Sequence, residues 1–169
     1  MEIFRINKNN RDDYDEVFEL LIGDKYKEDD LEKLMCMAVS EGEELCGVIA
    51  IDVTQECAVI ECIYILPPFR SLGYGHKLLS AAELTVLTNG FDGIAATYWV
   101  DKSTGTNQYN YGAGFTKDFF VNCGYTVAEL DMDANTEKEN FGNIKDNLNN
   151  EGIESSDDNI QIMYAAKSL

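Results

Sequence analysis

Glu61 is a carboxylate set inside an apolar run, Cys57-Ala-Val-Ile-Glu-Cys-Ile-Tyr-Ile65. A carboxylate in such a strand either takes up protons, made more basic by partial loss of water, or pairs with a neighbouring side chain and orients a ligand. A few residues on, Arg70-Ser-Leu-Gly73-Tyr-Gly75 leads into His76–Asn89, where Leu78, Leu79, Ala82 and Val86 recur at helical spacing. The first turn of a helix leaves N–H groups without intrahelical partners, and the macrodipole adds partial positive charge there. Several backbone donors thus converge on one phosphate-sized spot, to which Arg70 can add a fixed charge. Loops also use glycine for geometry alone, and the pattern by itself leaves that reading open.

These groups need a strand that stops and a helix that starts. Pro67 and Pro68, the only prolines, supply no N–H to a ladder and end the strand over 57–65. Cys57, Val59, Glu61, Ile63 and Ile65 are expected on one face of it. Before it, the pattern predicts a strand over 2–6, then a helix capped near Asn10 with Tyr14, Val17, Phe18, Leu21 and Ile22 on one stripe, ended by Gly23. A short helix over 29–34, a strand over 35–39, a turn at Glu41-Gly-Glu43 and a strand over 45–53 follow. After the helix that ends at Asn89-Gly90 come a strand over 93–100, a loop over 101–114, a helix over 116–122, and strands over 125–130 and 159–167. Between the last two, Phe141, Ile144 and Leu148 sketch a helix in a segment otherwise rich in Asn and acid.

The string Ile65-Leu-Pro-Pro-Phe-Arg70-Ser-Leu-Gly73-Tyr-Gly75 resembles the Val-x-Pro-x-x-Arg-x-x-Gly-x-Gly/Ala signature of the GNAT superfamily of N-acetyltransferases, with Ile for Val. Phe119-Phe-Val-Asn-Cys-Gly124-Tyr125 resembles that family's second mark, an aromatic pair followed by Gly and an aromatic. The resemblance covers residues 1–131 and 159–167 and leaves 132–158 as an acidic, Asn-rich insertion in a single domain. It implies an α/β (α+β) GNAT-type fold, a mostly antiparallel sheet splayed between its fourth and fifth strands, here 57–65 and 93–100. It further implies acetyl-CoA as acyl donor, its pantetheine on the backbone of Ile63 and Ile65 and its diphosphate on Arg70, Ser71, Leu72, Gly73, Tyr74 and Gly75.

The implied activity is N-acetylation of a primary amine by direct attack, with Glu61 as general base and sheet amides as donors to the carbonyl. Many family members carry, four residues before the Gly of the second mark, a tyrosine that protonates the departing thiolate. Phe120 stands there, with Tyr109 or Tyr111 as substitutes in the preceding loop. That departure is also the hint for a second reading, a module of this fold that binds acyl-CoA or a protein partner without turnover. His76 is placed to bond a phosphate or the first turn, Trp99 reads as core, and Asn107 and Asn110 as turn or cofactor residues.

Composition narrows the partners. The 169 residues suit one domain with a real core. The net charge of −18 argues against nucleic acid, which needs a basic surface. Residues 11–44 carry thirteen acids against four bases and residues 131–158 nine against two, whereas 45–130 carry eight against four. Acid is concentrated away from the phosphate loop, in segments that by resemblance wall the acceptor site, and a cationic acceptor is expected there. No apolar run approaches the roughly 20 residues that span a bilayer, and the first residues lack a secretory pattern, so the chain is expected to be cytosolic and free of membrane. Five cysteines without a Cys-x-x-Cys argue against a disulfide scaffold, one histidine argues against a metal site, and Cys123 has no basic partner in view. An exposed strand edge or apolar patch would support a homodimer.

Overall fold

The computed structural model describes residues 1–22, 33–101, 117–129 and 160–169. Seven strands, β1 (Glu2–Arg5), β2 (Leu34–Glu41), β3 (Glu44–Asp52), β4 (Ala58–Ile65), β5 (Gly93–Asp101), β6 (Thr126–Glu129) and β7 (Ile160–Ser168), form one sheet in the order β1-β2-β3-β4-β5-β7-β6. Among the described residues three α-helices accompany it: α1 (Asp15–Ile22), α2 (Tyr74–Thr88) and α3 (Lys117–Asn122). All strand pairings are antiparallel except β4 with β5. A parallel pair needs a crossover, and α2 is that crossover. Among the described residues no helix is long and apolar enough to cross a membrane.

β2 and β3 are apolar in nearly every position because both faces of the sheet are covered. On one face Leu78, Leu79, Ala82 and Val86 of α2, with Phe120 of α3, pack on Ile49, Ile51, Ile60, Ile63, Ile65 and Ile94. On the other, Phe18 of α1 is fully buried against Cys36, Ala38, Val48, Ala50 and Cys62. The β2–β3 hairpin turns through Gly42-Glu43 between Glu41 and Glu44, as the Glu-Gly-Glu pattern predicts.

Three local expectations are corrected. Leu34 opens β2 instead of ending a helix, since its side chain is drawn into the core under α1; residues 29–32 lie outside the described residues. Asn10 does not cap α1: its Oδ1 accepts the Asn7 N–H at 2.8 Å, and a 3-10 turn over Arg11–Asp13 comes before the helix. The single face expected for Val59, Glu61, Ile63 and Ile65 is broken. Ile60 sits opposite Ile51 and Cys62 opposite Ala50, which leaves Glu61 as the extra residue of a β-bulge. Ile63 and Ile65 thereby join Ala58 and Ile60 on the α2 face, and Cys62 turns to the α1 face.

Gly47 holds β3 against β4 at the far end of this pairing. A Cβ there would stand 2.4 Å from Ile65 Cδ1 and 2.6 Å from the Tyr64 carbonyl oxygen, and the second contact is backbone that cannot rotate away. Gly47→Val is therefore expected to cost about 2 kcal/mol of stability, seen in a thermal melt as a fall in Tm of roughly 4–8 °C. A melt that does not move would show that β4 yields there freely.

Candidate active site

The bulge at Glu61 sits where the sheet divides. β4 pairs with β5 only from Ala58↔Ile94 to Ile60↔Ala96, yet it remains on β3 through Ile65↔Gly47, and β5 remains on β7 through Asp101↔Ile160. Residues 61–65 and 97–101 therefore border a V-shaped opening with Glu61 at its apex. Four residues of strand, about 13 Å of extended chain, separate that apex from Ile65 at the mouth.

The register turns main-chain groups into the opening. Leu66 N–H donates to the Cys46 carbonyl at 2.9 Å, so Cys46 and Leu66 form a hydrogen-bonded pair. Alternation along an antiparallel ladder then leaves Ile65 and Ile63 in non-bonded positions, with N–H and C=O facing away from β3. Arg70 Nε donates to the Ile65 carbonyl at 2.9 Å, and its guanidinium carbon lies 5.5 Å from the centre of the Tyr64 ring. The cation is thus braced at the mouth of the opening from two sides.

Beyond Arg70 the chain twice enters the left-handed region, at Ser71 (φ 62°) and at Gly73 (φ 85°, ψ 2°). Such local reversals gather successive N–H groups into a concavity. Gly73 precedes α2 and provides no side-chain cap; the first helical bond is Lys77 N–H to the Gly73 carbonyl at 3.2 Å. The first turn holds no acidic residue. The orphan donors of α2 are accordingly not satisfied by a cap of their own, which fits a phosphate. Gly75 is an ordinary second residue of the helix, because the reversal is complete at Gly73. Leu72 is exposed.

Tyr74 anchors this loop in a way the sequence does not announce. It is buried, its ring meets Phe69 edge-on at 5.7 Å, and its hydroxyl donates to Glu41 Oε2 at the end of β2. The carboxylate acceptor, with burial added, pushes the phenol up to about 12. No spacing rule connects positions 41 and 74; only the alignment of the hairpin with the helix mouth does.

Phe120 and Phe119 sit on α3, which ends in a Schellman stop: Gly124 N–H donates to Val121 O, and Tyr125 N–H to Phe120 O at 2.9 Å. The second motif thus has a plain structural role, packing Tyr125 onto Phe120 at 5.3 Å. Phe120 is buried and stacks on Tyr98 of β5 with centroids 5.1 Å apart. Cys123 does have a ring nitrogen beside it, contrary to expectation: its Sγ lies 3.1 Å from His76 Nδ1. Burial and the Glu83 carboxylate nevertheless push the thiol up to about 11, which keeps it protonated and unreactive. His76 is exposed, 5.3 Å from the Phe119 ring. Tyr109, Tyr111, Asn107, Asn110 and the 132–158 insertion lie outside the described residues, as does the side chain of Trp99.

Solved structures share this fold. The aminoglycoside 6'-N-acetyltransferase of Enterococcus faecium aligns at 16% identity over 99% of this chain and 97% of its own, with a TM-score of 0.66. A Bacillus subtilis acetyltransferase in complex with CoA aligns at 17% identity over 99% and 98%, TM-score 0.66. An aminoglycoside 6'-N-acetyltransferase complexed with coenzyme A aligns at 14% identity over 99% and 97%, TM-score 0.65. No curated protein sequence matches the chain. The sequence model of the acetyltransferase (GNAT) family matches residues 3–111, well over half of the 169, and spans both the opening and the 70–75 loop. The chain therefore belongs to the acetyltransferase (GNAT) family and is, on that membership, an acetyl-CoA-dependent N-acetyltransferase.

Proposed function

We propose that the protein moves the acetyl group of acetyl-CoA onto a primary amine of a small, multiply cationic acceptor by direct attack. The diphosphate rests on the amides of Ser71 to Gly75 beside Arg70, the pantetheine bonds to the main chain of Ile63 and Ile65, and the thioester reaches the apex beside Glu61. The observation that carries this is the uncapped mouth of α2 placed at the open end of the β4–β5 opening. Two further supports bear on the acceptor: the acid concentrated in residues 11–44 and 131–158, and the likeness to enzymes named for aminoglycosides, which carry several amino groups.

Bringing amine and thioester into near-attack geometry is worth about 7 kcal/mol or more, so positioning does much of the work. Sheet amides polarise the carbonyl, and Glu61 takes the proton released by the attacking nitrogen, directly or through one water.

Thiol release from acetyl-CoA, measured with a panel of amines, tests this reading. Multiply charged amines are expected to be turned over, and their apparent KM to rise severalfold as ionic strength goes from about 0.01 to about 0.15 M, which shortens the Debye length from about 30 to about 8 Å. A KM indifferent to salt would remove the electrostatic attraction. Tight acetyl-CoA binding with no release on any amine would remove the transfer itself.

A further inference from the structure

When the carbon–sulfur bond of the thioester breaks, its electron pair stays on sulfur and the thiolate requires a proton or a hydrogen bond. Phe120 has no hydroxyl to supply either. The ring stacked on it does. Tyr98 is two residues past Ala96, the last residue of β5 that pairs with β4, and so lies on the wall of the opening near its apex. It is 2% exposed and belongs to the same buried cluster as Ile63 and Ile65, which border the opening from β4. Its hydroxyl is buried and finds no hydrogen-bond partner among the described residues.

An unpaired buried hydroxyl is costly, and a phenylalanine would pack in its place without that cost. Tyr125 also has a buried hydroxyl, but Glu83 lies beside it and acts on it both as a charge and as a hydrogen-bond acceptor. Among the described residues, burial is the cause that pushes the Tyr98 phenol up, to about 12. The hydroxyl is therefore fully protonated at neutral pH, the form an acid needs. The same desolvation makes a departing thiolate more basic, which narrows the gap between donor and acceptor.

We infer that Tyr98 is a catalytic residue whose hydroxyl donates to the coenzyme sulfur and gives it a proton as the thiolate leaves. The inference rests on the acetyl-transfer reading above. In the balanced step the nitrogen–carbon bond forms, the carbon–sulfur bond breaks, the Tyr98 proton goes to sulfur, and the tyrosinate regains a proton from the one released by the amine nitrogen.

Tyr98→Phe removes only the oxygen, and two readouts judge it. By calorimetry, the native protein should prefer CoA over desulfo-CoA by roughly fivefold or more, and Tyr98→Phe should abolish that preference while binding desulfo-CoA unchanged. In steady state, kcat should fall about tenfold to hundredfold with the KM for acetyl-CoA held. A sulfur preference that survives the substitution, or a kcat within about twofold of native, overturns the inference. Adding Phe120→Tyr restores a hydroxyl on the stacked ring, and a folded double variant that regains no activity would also overturn it. If the native protein turns over no amine, the transfer reading fails, and the calorimetric comparison still decides whether Tyr98 contacts sulfur.

Discussion

Gly73→Val is expected to weaken acetyl-CoA binding by about fiftyfold, read by calorimetry, while Gly73→Asn retains most of the affinity. The two substitutions separate space from conformation. A Cβ at Gly73 would meet nothing within 4 Å, so crowding plays no part. The backbone does, because φ of 85° costs an ordinary residue about 1–2 kcal/mol and a β-branched one more, whereas Asn visits that region readily. Valine would escape by rotating the peptide planes on either side, which re-aims the amides of Gly73 and Tyr74. Each charge-assisted bond so lost is worth about 1.5–3 kcal/mol, and every 1.4 kcal/mol is tenfold in affinity. Ser71 already occupies the same region without a glycine's freedom, so the loop has little slack to absorb a second strained residue. A valine variant with native affinity would mean that the diphosphate is held elsewhere, and the proposed cofactor site would fall with it.

Glu61→Gln is expected to lower kcat about a hundredfold, near the lower end of what a positioned base contributes. Glutamine keeps the length and most of the hydrogen-bonding capacity of the side chain and loses only the ability to accept a proton. The bulge gives this position its character: Glu61 is the extra residue between the Ile60↔Ile51 and Cys62↔Ala50 pairs, it is half-buried, and it follows directly on the last β4–β5 pair. Neighbours that alternate regularly would have fixed the carboxylate to one face; the bulge frees it from that phase at the point where the strands part. If kcat of the variant stays within about twofold of native, Glu61 only orients the substrate, and water receives the proton.

How much of this was legible follows from where hydropathy varies. In α2 the polar positions between Leu78, Leu79, Ala82 and Val86 mark the buried face, and the structure buries those four residues. In residues 57–65 both phases of the alternation are apolar except at Glu61, so the pattern carries a strand but no face, and the bulge leaves no trace in it. The turn over 66–73 was readable because Pro67, Pro68 and Gly73 are each restricted or permissive in backbone angle, a property of the residue type itself. The Glu41–Tyr74 bond was not, since it depends on how a hairpin and a helix mouth meet across 33 positions. Tyr98 was hidden for a related reason: an aromatic in a strand reads as core, and only the packed structure shows that its oxygen has no partner among the described residues.

α2 closes the core with four side chains, and in the function proposed above its first turn receives the coenzyme. One cooperative element thus serves both the fold and the ligand, and occupancy becomes a term in the folding equilibrium. At donor concentrations a hundredfold above Kd the native state gains about 2.7 kcal/mol. A cell rich in acetyl-CoA would therefore hold this protein further from unfolding, and from proteolysis, than one in which the pool has run down.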